Sequence, residues 1–233
     1  MRLERLLNSG AFPTGGKGRK ARIQIAHGLL SAVAYLNDNC AMHRDIKADN
    51  IVIMPDSTAK LIDFGLSKNI NASAAHSLVG TPAYLPPEIA QADGRTPYDP
   101  FKGDAWSLGV ALYVIACREY PFGCDGDAGE PSETVLERIS TGTWKNPGTQ
   151  VFGGRLLSAR LERCTRPLQG LICRLLTLDP NDRISLEEVR EHAWFYERGV
   201  PAEHLARETG GAAGAEMGTA GMSARQLAEL GME

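Results

Sequence analysis

A mainly α-helical fold with one small β-hairpin is predicted for this chain by three observations. Apolar residues recur every third and fourth position across residues 21–37, an almost wholly apolar stretch fills 104–117, and a β-branched run at Ile51, Val52 and Ile53 is followed, after a turn cluster, by a second short run.

The elements follow in chain order. Leu3, Leu6 and Leu7 have helical spacing that ends near Gly10. The polar stretch Thr14-Gly15-Gly16-Lys17-Gly18 reads as a loop, so Lys17 and Lys20 sit outside any strand. Ile25, Ala26, Leu29, Leu30, Val33 and Leu36 then give residues 21–37 an amphipathic helix with one face for a core. Pro55-Asp56-Ser57-Thr58 is the turn of the hairpin, between Ile51-Val52-Ile53 and Ala59-Lys60-Leu61-Ile62. Residues 66–103 hold no sustained period, and long irregular segments inside domains tend to be functional. Residues 104–117 are apolar on nearly every side, as a fully buried central helix requires. Helical patterns follow at 132–139, 168–177 and 185–196, with Asp179-Pro180 breaking the chain between the last two. The expected domain is 1–198. Beyond it, residues 199–233 are Gly, Ala and Glu with few large apolar side chains, which predicts a disordered tail.

Composition narrows the function. Hydrophobic residues make up 43% of 233, enough for a core, and 28 acids against 25 bases leave a net charge of −3. That balance gathers neither nucleic acid nor anionic lipid. Cys40, Cys117, Cys124, Cys164 and Cys173 are odd in number and never spaced as Cys-x-x-Cys, so reduced thiols in an intracellular, cytoplasmic or nuclear setting are expected. The charged start Met1-Arg2-Leu3-Glu4-Arg5 is not a signal peptide, and the apolar run 108–117 is too short to span a bilayer.

The stretch that carries chemistry is His43-Arg44-Asp45-Ile46-Lys47-Ala48-Asp49-Asn50, then the hairpin, then Asp63-Phe64-Gly65. A hairpin leaving at Ile51 and returning at Ile62 sets Asn50 and Asp63 side by side at its open end. Paired oxygen donors suit Mg²⁺, which binds through one or two carboxylates plus substrate phosphates. Asp45 and Lys47 lie on the loop into Asn50. They offer a carboxylate to orient an attacking hydroxyl and an ammonium to offset phosphate charge.

These motifs resemble those of the eukaryotic protein kinases, whose catalytic loop reads His-Arg-Asp-x-Lys-x-x-Asn and whose metal motif reads Asp-Phe-Gly. Gly80-Thr81-Pro82-Ala83-Tyr84 and Pro86-Pro87-Glu88 resemble the end of an activation segment. Asp104-Ala105-Trp106-Ser107-Leu108-Gly109 resembles the central helix, and Asp179-Pro180 with Arg183 the closing motif. The likeness covers residues 1 to about 196 and implies the large, C-terminal lobe of a kinase.

By that resemblance Asp45 aligns the substrate hydroxyl and takes its proton, Lys47 steadies the γ-phosphate, and Asn50 and Asp63 hold Mg²⁺. Val52 joins Lys47, Asn50 and Asp63 among the ATP-binding residues. His43, Phe64 and Gly65 are supporting residues, His43 for packing rather than chemistry. Asp104 reads by position as a helix N-cap; the resemblance, which is preferred, has it hydrogen-bonding the catalytic-loop backbone. Glu88 and Arg183 read as surface charges or, by the resemblance, as a buried ion pair. Lys47 and Thr81 point to Ser/Thr acceptors on protein substrates, and Asp49 to a basic residue in the peptide. Arg44 beside Asp45 implies control by an activating kinase, with Ser77 the preferred phosphate acceptor over Ser73 and Thr81.

Residues 14–18 lack the Gly and the Ser or Thr of a phosphate loop, and Asp125-Gly126-Asp127 lacks the later ligands of a calcium loop. His192-Ala193-Trp194-Phe195 resembles the His-Pro-Trp-Phe of the calmodulin-dependent kinase group. The acidic tail does not suit a calmodulin-binding helix. Only 42 residues precede His43, and two helices use most of them. The small β-rich lobe, with its Gly-rich loop and strand Lys, is therefore expected to be missing. Two functions follow: a Ser/Thr kinase catalytic lobe using ATP and Mg²⁺, or a catalytically incompetent remnant that serves as a protein-binding module.

Overall fold

The element at the centre is α4 (Pro100–Cys117), from which almost every side chain between Asp104 and Ile115 is buried. The computed structural model describes residues 1–9, 15–69, 81–91, 98–124, 131–152 and 155–196. The helix begins four residues before the expected position 104. Asp99 caps it, accepting from the backbone N–H groups of Phe101 (2.9 Å) and Lys102 (3.4 Å), and Pro100 takes the first-turn position where a missing N–H costs nothing. The start signal lay inside the segment that reads as irregular. Gly109 lets α6 (Arg166–Leu175) press onto α4, since a Cβ there stands 2.7 Å from the Cβ of Leu175.

Ahead of α4 come α1 (Leu3–Asn8) and α2 (Gly15–Asp38). The latter starts inside the stretch that reads as a loop, so Lys17 and Lys20 are helical. Glycine costs a helix about 1 kcal/mol per residue. Burial of Gly18, Ala21, Ile23 and Ile25 on the core side offsets that cost.

Four short strands lie between α2 and α4 in the chain. β1 (Ala41–Met42) pairs antiparallel with β4 (Lys68–Asn69). β2 (Ile51–Ile53) pairs with β3 (Ala59–Leu61) in the register Ile51↔Leu61, Val52↔Lys60, Ile53↔Ala59. Ile51, Ile53, Ala59 and Leu61 are buried, while Lys60 is exposed and Val52 half-buried on the other face. In the turn, Asp56 accepts from the N–H of Thr58 at 2.9 Å.

After α4, α5 (Ser132–Thr141) runs two residues beyond expectation. The ribbon of β5 (Pro147–Phe152) and β6 (Arg155–Ser158) was not expected at all. Its mostly exposed residues lack the alternation that marks a half-buried strand. It is held from outside: Glu162 accepts from the N–H groups of Thr149 and Gln150, and Trp144 Nε1 donates to the Leu156 carbonyl at 2.6 Å. The expected last helix, 185–196, is two pieces. α7 (Leu186–Arg190) is closed by a Ser185–Glu188 capping box, and a separate 3-10 turn covers Ala193–Tyr196. The break drops Trp194 into the core, 5% exposed.

One core runs from Leu3 to Trp194. Within it Trp106, Phe122 and Trp144 stack face to face, with 5.6 Å between successive centroids and planes within 9° and 8°; Tyr113 stacks on Trp144, also at 5.6 Å. Mainly helical content with small two-stranded sheets among the described residues agrees with the predicted class. Ser73, Ser77, the loop Asp125-Gly126-Asp127 and residues 199–233 lie outside the described residues.

Candidate active site

The stretch from His43 to Asn50 is held by backbone contacts from two directions. From α4, buried Asp104 accepts from the N–H of His43 (2.7 Å, Oδ2) and of Arg44 (2.9 Å, Oδ1). Asp99, not Asp104, is the helix cap. Burial raises the Asp104 carboxyl to about 6, against the pull of those two amides and the Arg44 charge. From residues 81–84, the hydroxyl of buried Tyr84 accepts from the N–H of Ala48 at 3.1 Å, and Ser107 Oγ donates to the Tyr84 carbonyl at 3.0 Å. Arg44, between these clamps, has φ of 67°, a left-handed conformation that costs a non-glycine residue on the order of 1–3 kcal/mol.

Held in this way, the loop converges on one carboxylate. Asp45 Oδ2 takes an ion pair from Lys47 Nζ at 2.8 Å and a hydrogen bond from Asn50 Nδ2 at 2.9 Å; the same amide also donates to the Asp45 carbonyl at 2.9 Å. The Asp45 and Lys47 side chains are 11% and 22% exposed, so both remain reachable. A 3-10 turn, Ala48–Asn50, delivers Asn50 to the start of β2.

At the other end of the ribbon, the N–H of Ile62 donates to the Asn50 carbonyl at 2.9 Å, so Asp63 follows directly on a residue paired with Asn50. Asp63 is exposed, with φ of 65°, and among the described residues its Oδ1 accepts one long bond, from Gly65 N–H at 3.3 Å. Because Asn50 Nδ2 is committed to Asp45, its Oδ1 is the atom left to face a cation. An amide oxygen and a lightly bonded carboxylate fit Mg²⁺, whose other positions go to water and phosphate. Among the described residues no group of three His, Cys, Asp or Glu side chains is placed to hold a metal by itself.

His43 ties loop to ribbon. It is fully buried, its Nε2 lies 3.2 Å from the Ile62 carbonyl, its Nδ1 accepts from Asp45 N–H at 3.3 Å, and its ring meets Phe64 edge-on at 5.0 Å. Those partners assign the neutral Nε2–H tautomer. Burial lowers its pKa despite the Ile62 carbonyl and the charges of Asp45 and Asp63. Gly65 is exposed in the turn after Phe64. Val52 is half-buried on the face of the ribbon opposite Ile51 and Ile53. Thr81, with Arg44, Asp45 and Asp104, lines a cavity of about 20 Å³.

Farther out, Glu88 on α3 (Pro87–Ala90) and Arg183 form a two-pronged pair at 2.7 and 2.8 Å. The guanidinium also donates to the carbonyls of Lys102 (2.7 Å), Thr177 (3.0 Å) and Leu178 (3.3 Å), and lies 5.1 Å from the Trp106 ring. Lys102 Nζ returns a bond to the Arg183 carbonyl at 2.6 Å.

Sequence reasoning passed over the roles of Tyr84, Ser107 and Lys102. A buried tyrosine needs a partner for its hydroxyl, which was the one available signal for Tyr84. It also missed that the Glu4 carboxyl hydrogen-bonds Asp49, and that this bond, with the Asp49 charge, raises the Glu4 pKa.

A family model described as the protein kinase domain matches residues 3–195. This chain belongs to the eukaryotic serine/threonine protein kinases. The chain is 32% identical over 186 residues to the human serine/threonine-protein kinase STK11, covering 76% of this chain and 38% of that one. It is 34% identical over 205 residues to the Arabidopsis thaliana serine/threonine-protein kinase SRK2I, covering 86% and 50%. With the rice CBL-interacting protein kinase 29 it shares 36% identity over 167 residues, covering 72% and 33%. The chain thus spans a third to a half of the length of these relatives. Among the described residues, no helix of the chain is long and apolar enough to cross a membrane.

Proposed function

We propose that this chain is the catalytic large lobe of a protein kinase that works in a cytoplasmic or nuclear setting and transfers the γ-phosphoryl group of ATP to Ser or Thr hydroxyls of proteins. The observation that carries the reading is the Asp45 carboxylate, bonded to Lys47 and Asn50 on a loop clamped by Asp104 and Tyr84. Such a carboxylate accepts the acceptor hydroxyl's proton as the new O–P bond forms and ADP departs. Lys47, 2.8 Å away, offsets the charge on the transferred group. Asn50 and Asp63 are the residues to hold Mg²⁺, which when bound neutralises phosphate charge. Val52 belongs to the open face of the ribbon beneath the nucleotide.

Arg44 is the residue to clasp an activating phosphate, on Ser77 in preference to Ser73 or Thr81. Asp49, with Glu4 beside it, favours a basic residue in the substrate. A peptide array without Arg or Lys enrichment overturns that preference, and unchanged activation of a Ser77→Ala variant overturns that choice of phosphosite.

The central test is ATP binding by the purified chain with and without Mg²⁺, beside Asp63→Asn. Mg²⁺-dependent binding that Asp63→Asn removes is the expected result. Absence of binding to either protein overturns the catalytic reading in favour of a protein-docking remnant.

A further inference from the structure

A second reactive site lies at the C-terminal end of α4, in residues the catalytic reading does not use. Cys117 ends that helix and Cys164 follows the 3-10 turn Leu161–Arg163, which leads into α6. The two thiols hydrogen-bond to each other. Cys164 also donates to the Arg160 carbonyl at 3.9 Å. Both residues are half-buried, and both line an open cavity of about 360 Å³ walled by Ile23, Leu112, Leu168 and Trp194. Such a cavity admits water and solutes of similar size.

The hydrogen bond within the pair favours a thiolate at one sulfur only. The hydrogen bond from Cys117 holds the Cys164 thiol below its ordinary range; burial opposes this and the Arg22 charge on α2 assists. The same bond, then burial, then the Cys164 and Glu119 charges push Cys117 far up, with only the Tyr113 hydroxyl acting the other way. Arg160 and Arg163 line the cavity beside Cys164. One sulfur is thus poised to attack and its neighbour to resolve, which is the arrangement that sulfenic acid chemistry requires.

We propose that Cys117 and Cys164 are a peroxide-oxidisable pair, closing to a disulfide that ties the end of α4 to the approach to α6. Cys164 sulfur attacks hydrogen peroxide; an S–O bond forms, the O–O bond breaks, and hydroxide leaves and takes up the thiol proton as water. Cys117 sulfur, giving up its own proton, then attacks the sulfenic sulfur. The S–S bond forms and the S–O bond breaks, releasing a second water. Two thiols are oxidised to one disulfide and one peroxide is reduced to two waters.

The test is peroxide titration of the full chain carrying Cys173→Ser, so that the tryptic peptide bearing Cys164 has no other thiol. Free thiols are then alkylated, and the chain is digested without reductant and analysed by mass spectrometry. The expected product joins peptide 103–118 to the peptide that begins at Cys164, is lost on adding dithiothreitol, and forms at lower dose than oxidation of exposed Cys40. In Cys117→Ser, a dimedone adduct on Cys164 replaces the link. Alkylation of both Cys117 and Cys164 at doses that oxidise Cys40, or linkage of either to a different cysteine, overturns the proposal.

Discussion

Asp45 is where the residue scale is most exposed to test, because one oxygen of its carboxylate serves both Lys47 and Asn50. Asp45→Asn, in a kinase assembled with this lobe, is expected to lower phosphoryl transfer about 10²–10⁴-fold, the usual worth of a general base. The melting temperature should barely move, and peptide phosphorylation beside a thermal melt checks both. His43 carries a different expectation. Buried and neutral, it has a folded pKa below the ordinary 6.5, so as pH falls the unfolded chain takes the proton first. Protonation also removes the Nδ1 lone pair that receives Asp45 N–H. Its stabilisation is therefore present above pH 6.5 and lost below. Asp104 acts in the opposite sense: with its carboxyl raised from 3.8 to about 6, the folded state binds the proton first, and stability rises as pH falls through that window. The two are separated by comparing denaturation of the native chain with His43→Phe. The stability gap between them should shrink as pH drops from about 7.5 to 6.

Elements are joined by a few contacts that propensity does not reveal. Glu88 and Arg183 link α3 to the segment after α6, with side-chain exposures of 15% and 0%. Glu88→Gln leaves a buried guanidinium facing a neutral amide and is expected to cost about 3–5 kcal/mol in denaturant unfolding. Gly109→Ala drives a methyl into Leu175 and should cost about 1–3 kcal/mol by the same measurement. Much at this scale was legible beforehand: the α2 period, the β2–β3 ribbon and the burial of α4 all follow from local pattern. What was not legible depends on partners distant in sequence. The Gly-rich start of α2 is helical where Gly18, Ala21, Ile23 and Ile25 are buried, and β5–β6 exists because Glu162 and Trp144 hold its backbone. The break before Ala193 exists because Trp194 has a place in the core. The site follows the same division. Asp45, Lys47 and Asn50 were legible as a local motif, whereas Tyr84 reaches Ala48 across 36 positions of chain.

For the molecule as a whole, the decisive feature is that one core spans Leu3 to Trp194. Its three tryptophans, Trp106, Trp144 and Trp194, belong to the same buried cluster although far apart in sequence. Unfolding by denaturant should therefore give coincident transitions by tryptophan fluorescence and far-ultraviolet circular dichroism. Separate midpoints would mean that the catalytic loop and the α6–α7 region fold as independent units.

The stack of Trp106, Phe122 and Trp144 has a mechanical consequence. A phenyl ring turning about its own axis must sweep sideways, and here two indoles stack nearly parallel to it, each with its centroid 5.6 Å away. Phe122 can rotate only when both neighbours part, so the pace of that rotation measures how often the centre of the molecule breathes. Separate resonances for the two ring edges of Phe122 would mark an interior that behaves as a solid.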